Sequence, residues 1–284
     1  MTVVHVSGWE GGCVAVDTEG RVHIVDSRET RTLRVGRAST TCADLLYPLL
    51  LLGTSTSSLT CVDLSADSSS PWPSPGPPVL NIAWSSPRSA FVAHTRGLFS
   101  QFSGRALVGR YDLGYTAAVA NAFRVVEGRG VLVGDTRGRL HFFRSQGDGV
   151  LGELRPTASC ASGVESRAPT STINAHGREK VLSLHHALEG ARLRVSTGGA
   201  DGGVCECELW ADGRLVKMYW RNTPLSRVTD LGFGRGREYA GGWEGSTYYV
   251  YELRSGLRAV KVDGGGWKRP NFIEVRAATT SLLV

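Results

Sequence analysis

At 284 residues the chain is long enough to bury most of its apolar surface without disulfide or metal staples. Its 36 glycines and 11 prolines, set against 8% aromatic residues and two methionines, exclude a body of long packed helices. Lys and Arg number 32 against 26 Asp and Glu, a net charge of +6 and a pI near 9.1, which is compatible with an RNA, DNA or acidic-protein partner and demands none.

The opening residues, Met1 to Val6, carry neither a basic segment nor a long apolar run, so no secretory leader is read there. The longest apolar run, Leu45 to Leu52, is broken by Pro48 and is too short to cross a bilayer. Cysteines at 13, 42, 61, 160, 205 and 207 are read as buried free thiols of a reducing compartment. A soluble, cytoplasmic protein without membrane contact is expected.

One pattern recurs along the chain: a short apolar segment, a tight turn, then a segment alternating apolar and polar. It occupies residues 14–26, 51–64, 91–102, 131–143, 196–209 and 240–253. Aligned on the turn, one column holds Gly20, Ser58, Gly97, Gly138, Gly202 and Gly245, at intervals of 38, 39, 41, 64 and 43 residues. Glycine suits that column because a tight hairpin turn forces a positive φ, and Ser58 implies a looser turn. Four of the intervals fit the ~40–45-residue period of a four-stranded propeller blade. The long one is a period plus an insertion, placed in the Ser/Gly/Thr/Pro-rich stretch 145–172.

First strands are predicted at 3–8, 41–46, 79–84, 117–125, 180–185 and 226–233, and fourth strands at 31–35, 105–111, 213–220 and 257–262. A single blade cannot bury both faces of its sheet, so neighbours must stack. The expected fold is all-β: a WD40-type β-propeller of six recognisable blades plus a partial seventh. It is read as a single propeller over 1–284, with blades near 1–38, 39–77, 78–113, 114–172, 173–223 and 224–264 and the partial one at 265–284. An apolar strand stopping at Val284 would leave an unpaired edge, so the chain is expected to be a portion of a longer multi-propeller protein rather than one whose edge a partner covers. The segment 65–78, rich in Ser and Pro, is read as a loop; as a proline-rich docking motif it lacks flanking basic residues.

Motifs for chemistry are sparse. Gly232-Phe233-Gly234-Arg235-Gly236 follows an apolar strand, but no helical period follows it, so a turn is expected rather than a nucleotide loop. Cys205 and Cys207, with His185 and His186, lack the spacing of a zinc site; in-strand thiols two apart point to one face and are read as packing. No nucleophile elbow, P-loop or metalloprotease motif is present. The protein is therefore read as no enzyme, with no metal or cofactor of its own. Basic residues cluster more usefully: Arg137, Arg139 and Arg144 bracket the fourth hairpin, Arg178 and Lys180 follow a His-Gly turn, Arg235 and Arg237 mark another turn, and Lys268 and Arg269 follow Trp267. Several could line one rim and hold an RNA backbone; the alternative is a solvated rim with scattered salt bridges.

Three sets of residues point further. They are the run Gly134-Asp135-Thr136-Arg137-Gly138-Arg139-Leu140-His141-Phe142-Phe143, the turn His176-Gly177-Arg178-Glu179-Lys180-Val181, and the step Gly264-Gly265-Gly266-Trp267-Lys268-Arg269. With the hairpin Thr197 to Gly202 and the turn Trp210 to Leu215 between them, they resemble the WD-repeat partner subunit of the eukaryotic tRNA wobble-nucleotide ribose 2′-O-methyltransferase. The resemblance spans about residues 131 to 275, half of the chain. It implies a non-catalytic scaffold that binds an S-adenosylmethionine-dependent methyltransferase subunit and helps present the tRNA anticodon loop. As RNA- or partner-binding candidates it and the basic clusters single out Arg137, Arg139, His176, Arg178, Lys180, Trp267, Lys268 and Arg269. The competing expectation is a generic protein-interaction propeller, in trafficking, chromatin or ribosome assembly, without RNA contact.

Overall fold

The computed structural model describes residues 2–9, 11–27, 29–35, 39–73, 76–145, 166–189, 192–234, 236–263, 272–275 and 280–283. Among them every regular element is a strand, and no helix is long and apolar enough to cross a membrane. The contacts divide the chain into two compact units, residues 1–120 with 146–168, and residues 121–145 with 169–284.

The first unit holds three antiparallel meanders. Sheet 1 runs Val3–Trp9, Gly12–Asp17, Arg21–Asp26 and Thr30–Arg34, and sheet 2 runs Thr40–Leu46, Leu49–Thr54, Leu59–Asp63 and Ser68–Trp72. Sheet 3 runs Val79–Ser86, Ser89–His94, Leu98–Ser103 and Ala106–Asp112, and gains a fifth strand, Ser166–Arg167, which pairs parallel with the fourth. The rest of the insertion that the repeat interval requires, 146–165, lies outside the described residues.

Stacking explains the apolar run at Leu49 to Leu52. Leu50 and Leu52 pack with Val14, Val16, Val22 and Ile24 of sheet 1, whereas Leu51 packs with Val79, Ile82 and Val92 of sheet 3. Successive side chains of a strand point to opposite faces, so a strand buried on both sides is apolar without alternation.

Two sequence expectations change here. The stretch 65–78 is not all loop: Ser68–Trp72 is the outer strand of sheet 2, with Leu59 opposite Trp72 and Asp63 opposite Ser68. Pro71 is tolerated because an edge strand need not donate on its outer side. Trp72 then packs edge-on against Trp84, with ring centroids 5.6 Å apart. The left-handed residue of the second hairpin is Ser57 (φ 65°) rather than Ser58. Thr54 holds it there, since its hydroxyl oxygen accepts the Ser58 N–H at 3.1 Å.

The second unit repeats the plan. Sheet 4 runs Ala120–Val126, Gly130–Asp135, Arg139–Arg144 and Ser171–Asn174. Sheet 5 runs Val181–Glu189, Arg192–Gly199, Gly203–Leu209 and Leu215–Asn222, and sheet 6 runs Arg227–Gly234, Arg237–Glu244, Thr247–Glu252 and Arg258–Asp263. Leu132, Leu140 and Phe142 of sheet 4 bury against Val195, Cys205 and Cys207 of sheet 5, and Val204 packs with Val228, Ala240 and Tyr251 of sheet 6. Phe272–Val275 and Thr280–Leu283 form a separate two-stranded ladder, with Phe272 opposite Leu283.

Candidate functional site

In a four-stranded antiparallel meander the turn between the second and third strands emerges at the same end as the connection to the next sheet. In the second unit this puts residues 136–138 beside residues 175–180. Gly138 is the joint. Its carbonyl accepts the N–H groups of Ala175 (2.9 Å) and His176 (2.8 Å). Its φ is 78°, and a Cβ placed there would stand 2.7 Å from the carbonyl oxygen of Glu179. Only glycine satisfies both demands.

Asp135 shapes the turn from below. One carboxylate oxygen accepts the N–H groups of Arg137 (2.8 Å) and Arg139 (2.9 Å); the other accepts from Nε2 of His141 at 3.0 Å. The Thr172 hydroxyl lies 2.9 Å from Nδ1 of the same ring. Asp135 and His141 are both fully buried. Burial would raise the Asp135 carboxyl, but His141 and the two N–H groups outweigh it and hold it below its ordinary value. Sheet 1 carries the same device in looser form: Asp17 accepts from Glu19 N–H and Arg21 N–H, with His23 at 3.4 Å and Thr32 at its far nitrogen.

The neighbouring loop is anchored as firmly. Nδ1 of His176 donates to Asp201 at 3.1 Å, the Thr197 hydroxyl lies 2.7 Å from Nε2, and Trp220 meets the ring edge-on at 4.9 Å. Burial would raise Asp201, but the bonds from His176 and the Gly203 N–H hold it low. Lys180 accepts the Ala200 N–H through its carbonyl at 2.8 Å.

The structure thus sorts the residues singled out in the sequence. Arg137, Arg178 and Lys180 are exposed and Arg139 is half-buried, all four on backbone pinned around Gly138. His176 is buried and turned inward, so it positions the loop and offers no ring to the surface. Trp267, Lys268 and Arg269 lie outside the described residues, as does Arg235. Arg144 ends the strand that Arg139 begins, and Arg237 follows a turn between first and second strands, so both belong to the opposite end of their sheets. Turns of a meander alternate between ends, so of the basic residues that could line one rim Arg144 and Arg237 stand at the other end from residues 136–138 and 175–180. Lys217 joins the patch unannounced by any motif: its Nζ lies 3.4 Å from the carbonyls of Asn174 and Ala175.

Cys205 and Cys207 share one buried face, with sulfurs 3.7 Å apart, inside the apolar core between sheets 4 and 5. Among the described residues no group of three His, Cys, Asp or Glu side chains is disposed to hold a metal ion. Gly232 and Phe233 lie in the strand Arg227–Gly234, which turns through Gly236 (φ 73°) into the next strand.

Solved structures share this architecture. The chain is similar to the computationally designed Ika8 protein, with a TM-score of 0.62 and 11% identity over 99% of this chain and 92% of that one. It is similar to the Cps50 (Swd1) β-propeller domain of Myceliophteria thermophila, with a TM-score of 0.62 and 14% identity over 93% and 87%. The fold is a six-bladed β-propeller. U3-55K is a further neighbour, with a TM-score of 0.61 and 12% identity over 82% and 70%. No protein-family model and no curated protein matches the chain. Each of sheets 1 to 6 is a blade, and the basic patch lies where blade 4 meets blade 5.

Proposed function

We propose that the protein is a non-catalytic propeller scaffold that holds the anticodon loop of tRNA for wobble ribose 2′-O-methylation by a partner methyltransferase. The methyl donor, S-adenosylmethionine, would be held by that partner. The observation that carries this reading is the joint at Gly138. Two of the three segments of the resemblance, 134–143 and 176–181, are far apart in sequence yet meet there, where Arg137, Arg178 and Lys180 are exposed and Arg139 is half-buried. Cations on pinned backbone suit a phosphate chain, because their placement is settled before binding.

A second reading, a protein-interaction propeller without RNA contact, is favoured by the exposed Tyr219, Phe233 and Leu257 at the opposite end of blades 5 and 6. Salt separates the two. Retention of tRNA by the full chain should fall steeply with ionic strength. Arg178→Glu with Lys180→Glu should flatten the log–log slope by about 1.5, at ~0.7–0.9 for each phosphate no longer neutralised. A salt-independent or unaltered retention would remove the RNA role. Depletion followed by mass spectrometry of tRNA wobble methylation tests the rest, and unchanged methylation defeats it.

A further inference from the structure

At the end of blades 5 and 6 away from the basic patch, a cleft of about 840 Å³ opens between the two sheets. Its walls are stapled by ion pairs. Arg194 pairs with Glu238 and lies 4.0 Å from the buried Glu206, while Arg221 approaches Glu206 at 3.9 Å and donates to the Leu253 carbonyl. Arg237 pairs with Glu252 at 3.0 Å, tying the turn before the second strand to the end of the third. These staples hold the cleft in one shape before anything enters it.

Two features at its mouth remain unused by the fold. Arg254 is exposed and has no ion-pair partner among the described residues, and the Arg237 side chain is 60% exposed despite its pair, leaving guanidinium donors to solvent. Beside them Tyr219, Phe233 and Leu257 are 45%, 46% and 66% exposed. Aromatic side chains and arginines together are the composition that dominates binding energy at protein interfaces.

We infer that this cleft receives an acidic peptide segment of a partner protein, with carboxylates on Arg254 and Arg237 and an apolar side chain over Phe233, Tyr219 and Leu257. Charge complementarity selects that occupant over a nucleic acid. Four arginines line the cleft against two lining carboxylates, Glu238 and Glu252, with Glu206 buried behind Arg194 and Arg221, so it pairs one or two added negative charges and leaves a continuous run of phosphates mostly unpaired. The apolar shelf has no use for a phosphodiester backbone, whereas a peptide supplies a matching side chain every second residue. The volume lies within the range of specific binding pockets. The inference stands independently of the RNA reading, which concerns the opposite end of the blades.

The test uses the full chain and a set of fluorescein-labelled twelve-residue Gly/Ser peptides, each bearing two Glu or Asp residues and one Phe, Tyr, Leu or Val, measured by fluorescence polarisation. Members of the set should bind, and their Lys counterparts should not. Arg254→Glu should weaken binding about tenfold and Leu257→Ser about fivefold, Arg254→Gln serving as a milder variant if the reversal disturbs the turn. Thermal midpoints of these variants should match the parent. Arg178→Glu with Lys180→Glu should leave peptide binding unchanged, so failure here and failure of the RNA reading are distinguishable. Absence of binding across the set, or binding unaltered by the Arg254 and Leu257 substitutions, overturns the inference. Equal binding of a twelve-nucleotide oligouridylate that Arg254→Glu abolishes overturns it in favour of a polyanion site.

Discussion

Removing the Asp135 carboxylate separates the buried and exposed forms of one structural device. Asp135→Ala strips the acceptor from three donors, the N–H groups of Arg137 and Arg139 and the buried His141. The two N–H groups lie at a turn that water can reach, so each loses about 1 kcal/mol; stranding buried His141 adds about 1–3 kcal/mol. The expected loss is about 4 kcal/mol, a large share of the stability of an ordinary domain. Asp17→Ala is the internal control. It strips the acceptor from the three equivalent donors, Glu19 N–H, Arg21 N–H and His23, but His23 sits at 3.4 Å with its side chain 26% exposed, so water replaces the lost acceptor and about 2 kcal/mol is expected. Asp135→Asn keeps one acceptor oxygen for the turn and should fall between the two. Urea unfolding at pH 7, followed by tryptophan fluorescence, measures all three. Because Asp135 also orders Arg137 and Arg139, tRNA retention should drop with Asp135→Ala and not with Asp17→Ala. Equal destabilisation by the two alanine variants would refute the reasoning from burial.

Gly138→Ala should cost about 3 kcal/mol, from the left-handed φ and from contact with the Glu179 carbonyl, whereas Gly245→Ala, with φ 62° and open space around it, should cost only about 1 kcal/mol. Similar unfolding midpoints for the two would show that the joint tolerates a side chain. Stability should also fall as pH drops from 7 to 5. Burial pushes His5, His94 and His185 down to about 4 in the folded chain, so below pH 6.5 the unfolded chain binds protons that the folded one refuses, until the folded groups titrate near 4. His94, 2% exposed, accounts for about 2 kcal/mol of that decline. The contributions of Asp135 and Asp201, whose carboxyls are held low, persist to below pH 4. A thermal midpoint identical at pH 7 and 5 would contradict the burial of these imidazoles.

The blades were legible because their information is local. A left-handed turn needs glycine or a residue held in place, so Gly20, Gly97, Gly138, Gly202 and Gly245 mark five hairpins in the linear sequence. The second hairpin slipped by one residue because a threonine hydroxyl, rather than a glycine, stabilises Ser57. The outer strand Ser68–Trp72 was hidden because edge strands admit the serines and proline that ordinarily signal a loop. The pairing of Asp135 with His141 had a readable signal, an Asp and a His six residues apart across the turn, repeated at Asp17 and His23.

Local sequence thus specifies six meanders and the type of residue each turn requires. It is silent on which turns share an end and on which side chains turn inward. Those follow from the alternation of a meander and from the stacking of neighbouring sheets, which brings residues 136–138 against 175–180 and buries His176 beneath them. The arginine-lined cleft between blades 5 and 6 is the extreme case. Its residues span Arg194 to Leu257 and form no motif, because ion pairs across two sheets depend on distance in space and carry no spacing along the chain.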